Sequence, residues 1–130
     1  MTVAVVDGNE KTRQGLVRRL GRSAGISVVG EAGDPNEVLA VVRERRPDVV
    51  VMDLRRMASD AAEFLGRLVA AVPPVGVVVL TAFLTERERV DLVQAGAGAI
   101  LFKEIDSETL VQAIRTVAGR ATAGRRRSEA

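Results

Sequence analysis

The chain has 130 residues, enough for one domain with a real core, and its 47% apolar and 28% charged content is ordinary for a soluble globular protein. It contains no cysteine and no histidine, which excludes disulfides, thiolate or imidazole zinc sites and histidine catalysis. Residues 1–118 hold 15 basic and 16 acidic groups, so the net charge of +2 is assigned to Arg120, Arg125, Arg126 and Arg127, a property of the tail rather than of the domain.

Five Val-rich runs follow one another along the chain, at residues 3–6, 26–29, 49–52, 77–80 and 99–102. Three of them are continuously apolar and β-branched, which predicts strands covered on both faces of a parallel sheet. The first is followed by a helical pattern with Leu16, Val17 and Leu20 on one face. Asp34 and Pro35 supply an N-cap and a proline at the first turn of the second helix. Thr85 with Glu88 forms a capping box for the fourth, and Gly96 marks its end. Asp106 caps the fifth, whose apolar residues Leu110, Val111, Ile114, Val117 and Ala118 keep helical spacing up to Gly119. Strand starts about 22 to 28 residues apart predict repeated βα units with right-handed crossovers. No apolar run approaches the roughly 20 residues of a membrane span, and the opening MTVAVVDG does not have the character of a signal peptide, so a cytoplasmic setting is expected.

The fold expectation is α/β: a flavodoxin-like five-stranded parallel sheet flanked by five helices, ordered 2-1-3-4-5. The expected division is a domain over residues 1–119 and an Arg-rich linker or tail over residues 120–130. In such a sheet the site lies outside the carboxyl ends of the strands. That edge collects Asp7 after the first strand, Asp53 after the third, Thr81 after the fourth and Lys103 after the fifth. Two carboxylates suit a hard cation such as Mg²⁺. A hydroxyl and an ammonium suit phosphoryl oxygens, and the set reads as a carboxylate that accepts a phosphoryl group. No G-x-G-x-x-G or P-loop follows the first strand, which argues against a nucleotide-binding enzyme.

The stretches VAVVDGNEKTRQGL, ISVVGEAGDPNEVL, RPDVVVMDLR, VVVLTA and QAGAGAILFKE, in that order and spacing, resemble the receiver domain of two-component response regulators, and within these the LuxR/NarL-type branch. The resemblance spans residues 2 to about 118. It implies a signalling domain and not an enzyme. Asp53 would be the phosphoacceptor for a histidine kinase, with Thr81 as the switch hydroxyl and Lys103 as the phosphate-binding cation. Asp7, Asp53 and the backbone carbonyl of Arg55 would be the Mg²⁺ ligands. It further implies a homodimer through the fourth and fifth or the first and fifth helices, no membrane partner, and transcription control through DNA bound only by a C-terminal domain absent from this chain.

Five positions depart from that pattern. Gly8 replaces an acidic residue that commonly touches magnesium, which predicts weak Mg²⁺ binding. Met57 and Ala61 replace a proline and a glycine, Ile100 replaces an aromatic residue, and Glu104 replaces a proline, although an acid there is frequent in this branch. Glu10 is a candidate substitute for the missing acid, and its plain alternative is a charge in the first turn of a helix. The competing function is a degenerate receiver, an interaction or ligand-responsive module independent of phosphorylation.

Overall fold

The computed structural model describes residues 1–53, 61–70 and 75–129. Strands β1 (Thr2–Val6), β2 (Ser27–Ala32), β3 (Val49–Asp53), β4 (Gly76–Thr81) and β5 (Ala99–Phe102) alternate with helices α1 (Glu10–Gly21), α2 (Pro35–Arg45), α3 (Ala61–Val69), α4 (Glu86–Ala95) and α5 (Ser107–Glu129). All strand pairs are parallel, in the order β2-β1-β3-β4-β5. The flavodoxin-like expectation therefore holds in class, element number and order.

Residue alternation in each strand sorts the core into two layers. Ala4, Val6, Val50, Met52, Val77 and Val79 face Val38 and Val42 of α2, Phe64, Leu65 and Leu68 of α3, and Leu92 of α4. Val3, Val5, Val49, Val51, Val78 and Leu80 face Leu16 and Leu20 of α1 and Leu110, Ile114 and Val117 of α5. The continuous valine runs are thus apolar because each face of the sheet has its own helical layer.

The capping signals are realised. The Asp34 side chain accepts from the Glu37 amide, Thr85 and Glu88 complete the reciprocal box, and Gly96 ends α4 at φ 114°. Asp106 Oδ1 accepts from the Thr109 amide at 2.7 Å. Asn9 caps α1 through its bond with the Thr12 amide. Two boundaries differ from expectation by more than one residue. β2 continues to Ala32, because pairing with β1 carries Gly30 and Glu31 into the ladder. The last helix does not end near Ala118 but runs through Glu129. Gly119 costs roughly 1 kcal/mol relative to alanine, too little to stop a segment rich in alanine and arginine and free of proline.

α5 is seated by close approach. A Cβ at Gly76 would lie 2.4 Å from Val117 Cγ1, and one at Gly98 would lie 2.8 Å from the same atom. Gly76→Ala should therefore cost about 1–3 kcal/mol through overpacking, read as a lowered urea midpoint. In a double-mutant cycle with Val117→Ala, part of that loss should disappear. Additive losses would show that the contact does not decide this position.

Candidate functional site

The strand register builds the site. Val6 pairs with Met52 and Asp53 with Leu80, which places Asp7 beside Asp53 at the carboxyl edge of the sheet. Thr81 pairs with Phe102, and the Lys103 amide donates to the Thr81 carbonyl at 3.0 Å, which brings Lys103 to the same edge. Asp7, Asp53 and Thr81 are 2%, 4% and 6% exposed and are the buried polar or charged residues among those described. In a molecule with an aliphatic interior, all of them meet at one place. Buried polarity of this kind needs partners, and its concentration marks a site rather than scattered capping.

The partners are partly supplied. Lys103 Nζ forms an ion pair with Asp53 Oδ2. Asp7 Oδ1 accepts from the Asn9 amide at 2.9 Å, whereas its Oδ2 is buried and receives no hydrogen bond. Burial is the main cause that pushes the Asp7 carboxyl above the usual carboxylate range, the Asn9 amide opposes it, and the neighbouring Asp53 charge adds to it. Among the described residues, two carboxylates thus share one ammonium. A further cation relieves that imbalance, and the bare Asp7 oxygen is of the kind that Mg²⁺ takes. The residues fit the ion, but no group of three histidine, cysteine, aspartate or glutamate side chains is assembled among the described residues. Arg55, the expected carbonyl ligand, and Met57 lie outside the described residues.

Gly8 is exposed and places no side chain in the pocket. Glu10 does not replace it: it opens α1, is exposed, and accepts from Gln14 Nε2 at 3.3 Å. The Thr81 hydroxyl donates to the Phe83 carbonyl at 2.8 Å, across the start of the connection to α4. Ile100 packs against the α2–α3–α4 core layer, and Ala61 is buried at the start of α3. One contributor is invisible in the sequence. Arg13 donates through Nη1 to the Asp7 carbonyl at 2.8 Å and through Nε to Glu31 at 3.0 Å, fixing the chain where it turns out of β1. Its polar position on an amphipathic helix gives no signal of that reach.

Comparison with known proteins agrees with this geometry. The model of the response regulator receiver domain matches residues 3–115. The chain is 36% identical over 119 residues to the DNA-binding transcriptional activator DevR/DosR of Mycobacterium tuberculosis, covering 91% of this chain and 55% of that protein. It is 36% identical over 115 residues to the response regulator GacA of Pseudomonas aeruginosa, covering 88% and 54%. The chain thus spans about half the length of the curated relatives it matches. Among solved structures, the receiver domain of the putative response regulator NarL of M. tuberculosis superposes with a TM-score of 0.82 at 29% identity, over 91% of this chain and 95% of that one.

The raised Asp7 carboxyl has a consequence for stability. A folded-state value above the unfolded one favours the folded protein at low pH, and that contribution is lost as pH rises through the folded value. Asp7→Asn keeps an acceptor for the Asn9 amide but carries no charge. In chelator, the variant should be more stable than the wild type at neutral pH, with the gap closing as pH falls toward about 4, the ordinary range for carboxyls. A gap that widens on acidification would reverse the assignment.

Proposed function

Because the chain belongs to the response regulator receiver domain family, with LuxR/NarL-type relatives, we propose that it takes a phosphoryl group on Asp53 from a histidine kinase and so controls a DNA-binding output. The observation that supports this most is the meeting of the buried polar residues, Asp7, Asp53 and Thr81, with the Lys103 ammonium at one sheet edge. It is a regulatory domain and not an enzyme. In the transfer, an oxygen of Asp53 attacks phosphorus, the P–N bond to the donor imidazole breaks, and its electron pair returns to the ring nitrogen. Lys103 already neutralises Asp53 and is in place to follow the charge onto the phosphoryl oxygens. Thr81 releases the Phe83 carbonyl when its hydroxyl turns to the new oxygens, which links the site to the start of α4.

Receiver domains generally bind Mg²⁺ at the phosphorylation site. Here Asp7, Asp53 and the Arg55 carbonyl would hold it, and the ion supplies charge neutralisation for the transferring group. With Gly8 in place of an acid, we assign weak binding and slow phosphorylation. The second reading, a receiver used without phosphorylation, is favoured by the same Gly8.

Residues 1–119 form the receiver body and 120–130 the Arg-rich connecting segment to an output domain that reads DNA sequence. For a homodimer, α4 and α5 offer the better face. A cleft of about 390 Å³ there is lined by Leu84, Arg89, Val93, Ile100, Phe102 and Arg120, and Phe102 is 64% exposed. α1 with α5 is the alternative. Crosslinks confined to α2 and α3 would overturn both.

Incubation with a small phosphodonor and Mg²⁺ should add the mass of one phosphoryl group to the wild type, and none to Asp53→Asn. The Gly8 φ is not in the left-handed region, so Gly8→Asp is free of backbone strain. A unit charge about 4 Å from a divalent ion contributes about 2 kcal/mol in bulk water before desolvation. Gly8→Asp should accordingly tighten Mg²⁺ binding roughly tenfold and speed the modification. If both folded proteins stay unmodified, the phosphorylation-independent reading stands.

A further inference from the structure

The expectation that the basic groups belong to the tail needs revision, because near-neutrality of the body conceals a polarised charge distribution. In a parallel α/β sheet every helix returns the chain to the amino edge, so the ends of α1 and α2 and their following loops lie together there. Asp48 donates its amide to the Thr2 carbonyl and Ser27 donates to that of Met1, which ties both loops to the first residues of β1. Arg115 Nη2 reaches from α5 to the Ala24 carbonyl at 3.0 Å, so α5 borders the same edge. Arg18, Arg22, Arg43, Arg45, Arg46 and Arg115 are all exposed, and none forms an ion pair among the described residues. The acids in the contributing segments, residues 18–26, 43–48 and 115–120, are Glu44 and Asp48 alone. Asp48 is turned inward, where it accepts from the Thr2 amide and hydroxyl at 2.8 and 3.1 Å. The N-terminal ammonium adds a further positive charge at the Gly25 carbonyl.

Helix dipoles favour cations in a last turn, which accounts for Arg18 and Arg43. They also suit Arg45, whose stem lies over Gly30 of β2, but they do not account for Arg115, which lies within α5. We propose that this arginine edge is a sequence-independent contact surface for the phosphate backbone of duplex DNA. Arginine presents a planar fork that matches phosphate oxygens in pairs. A protein interface of this size needs apolar or aromatic anchors at its centre. Among the described residues the exposed large apolar ones, Phe83, Val90, Val93 and Phe102, are on the α4–β5 side instead, so the described part of this edge holds no such anchor and nothing to insert into a lipid surface. Past Val117, which packs on the first residue of β4, α5 continues outward from this edge, and its sequence there adds Arg120, Arg125, Arg126 and Arg127. The body edge and the sequence of the segment that leaves it therefore carry an excess of the same sign of charge.

The surface does not use Asp53, so its test is separate from that of phosphoryl transfer. The 130-residue chain is titrated by fluorescence anisotropy into a labelled duplex of arbitrary sequence, at salt concentrations of about 50 to 200 mM. The quadruple variant R18Q/R22Q/R43Q/R45Q replaces exposed side chains and is checked for folding by circular dichroism. Each phosphate no longer neutralised lowers the salt slope by about 0.9, so four lower it by roughly 3 to 4. Across that salt range, wild-type affinity should fall roughly 100-fold further than that of the variant. R125Q/R126Q/R127Q should still bind, more weakly, and Asp53→Asn should bind as the wild type does. Equal affinity and slope for wild type and quadruple variant would assign the binding to the tail and overturn the proposal. So would a wild type that ignores DNA at low salt, including one that binds polyglutamate instead and thereby points to an acidic protein.

Discussion

Asp7 and Asp53 are buried side by side at the carboxyl edge of the sheet, and among the described residues the ammonium of Lys103 answers both. A pair of opposite unit charges about 4 Å apart is worth about 4 kcal/mol at an effective dielectric of 20. Removing one partner of a buried pair costs about 3–5 kcal/mol, because the other is left without compensation. The ion pair therefore holds the end of β5 to the end of β3 across β4, and the Lys103 amide on the Thr81 carbonyl fixes its register. Burial, with the Asp53 charge added to it, displaces the Asp7 carboxyl upward, and a cation at this edge would stabilise the fold and prepare the site together.

The same constraint explains where polarity is allowed. Both faces of the sheet are covered, so an interior strand position holds valine, leucine, methionine or alanine, and a charged group is tolerated only where a strand ends. Polar function is concentrated at the strand ends because the rest of the sheet excludes it.

Charge along the helix axes follows a related rule. Acids occupy first turns, as with Glu10, Glu37, Glu86, Glu88 and Glu108, and arginines occupy last turns in α1, α2 and α3. Each helix gains a little from this through its dipole. Because all five run the same way against a parallel sheet, the local preference sets these first-turn acids toward one edge and these last-turn arginines toward the other. Such a field orients charged partners before contact.

The sequence determined the class, the strand order expectation and the site by residue, since valine runs, caps and strand-ending polar residues are local signals. Asp7, Asp53, Thr81 and Lys103 were legible because each directly follows or ends a strand. Gly8 was legible as a missing acid, which is a statement about composition at one position. Tertiary structure alone decided what depends on distant segments. It paired Lys103 with Asp53 and left one Asp7 oxygen bare. It turned the Thr81 hydroxyl to Phe83 and kept Glu10 on its helix. It carried α5 past Gly119, where local composition predicted an end, and brought Arg13 from a polar helix face to the Asp7 carbonyl. It also gathered Arg18, Arg22, Arg43, Arg45, Arg46 and Arg115 at one edge, which a net charge cannot reveal, because a sum over residues contains no positions.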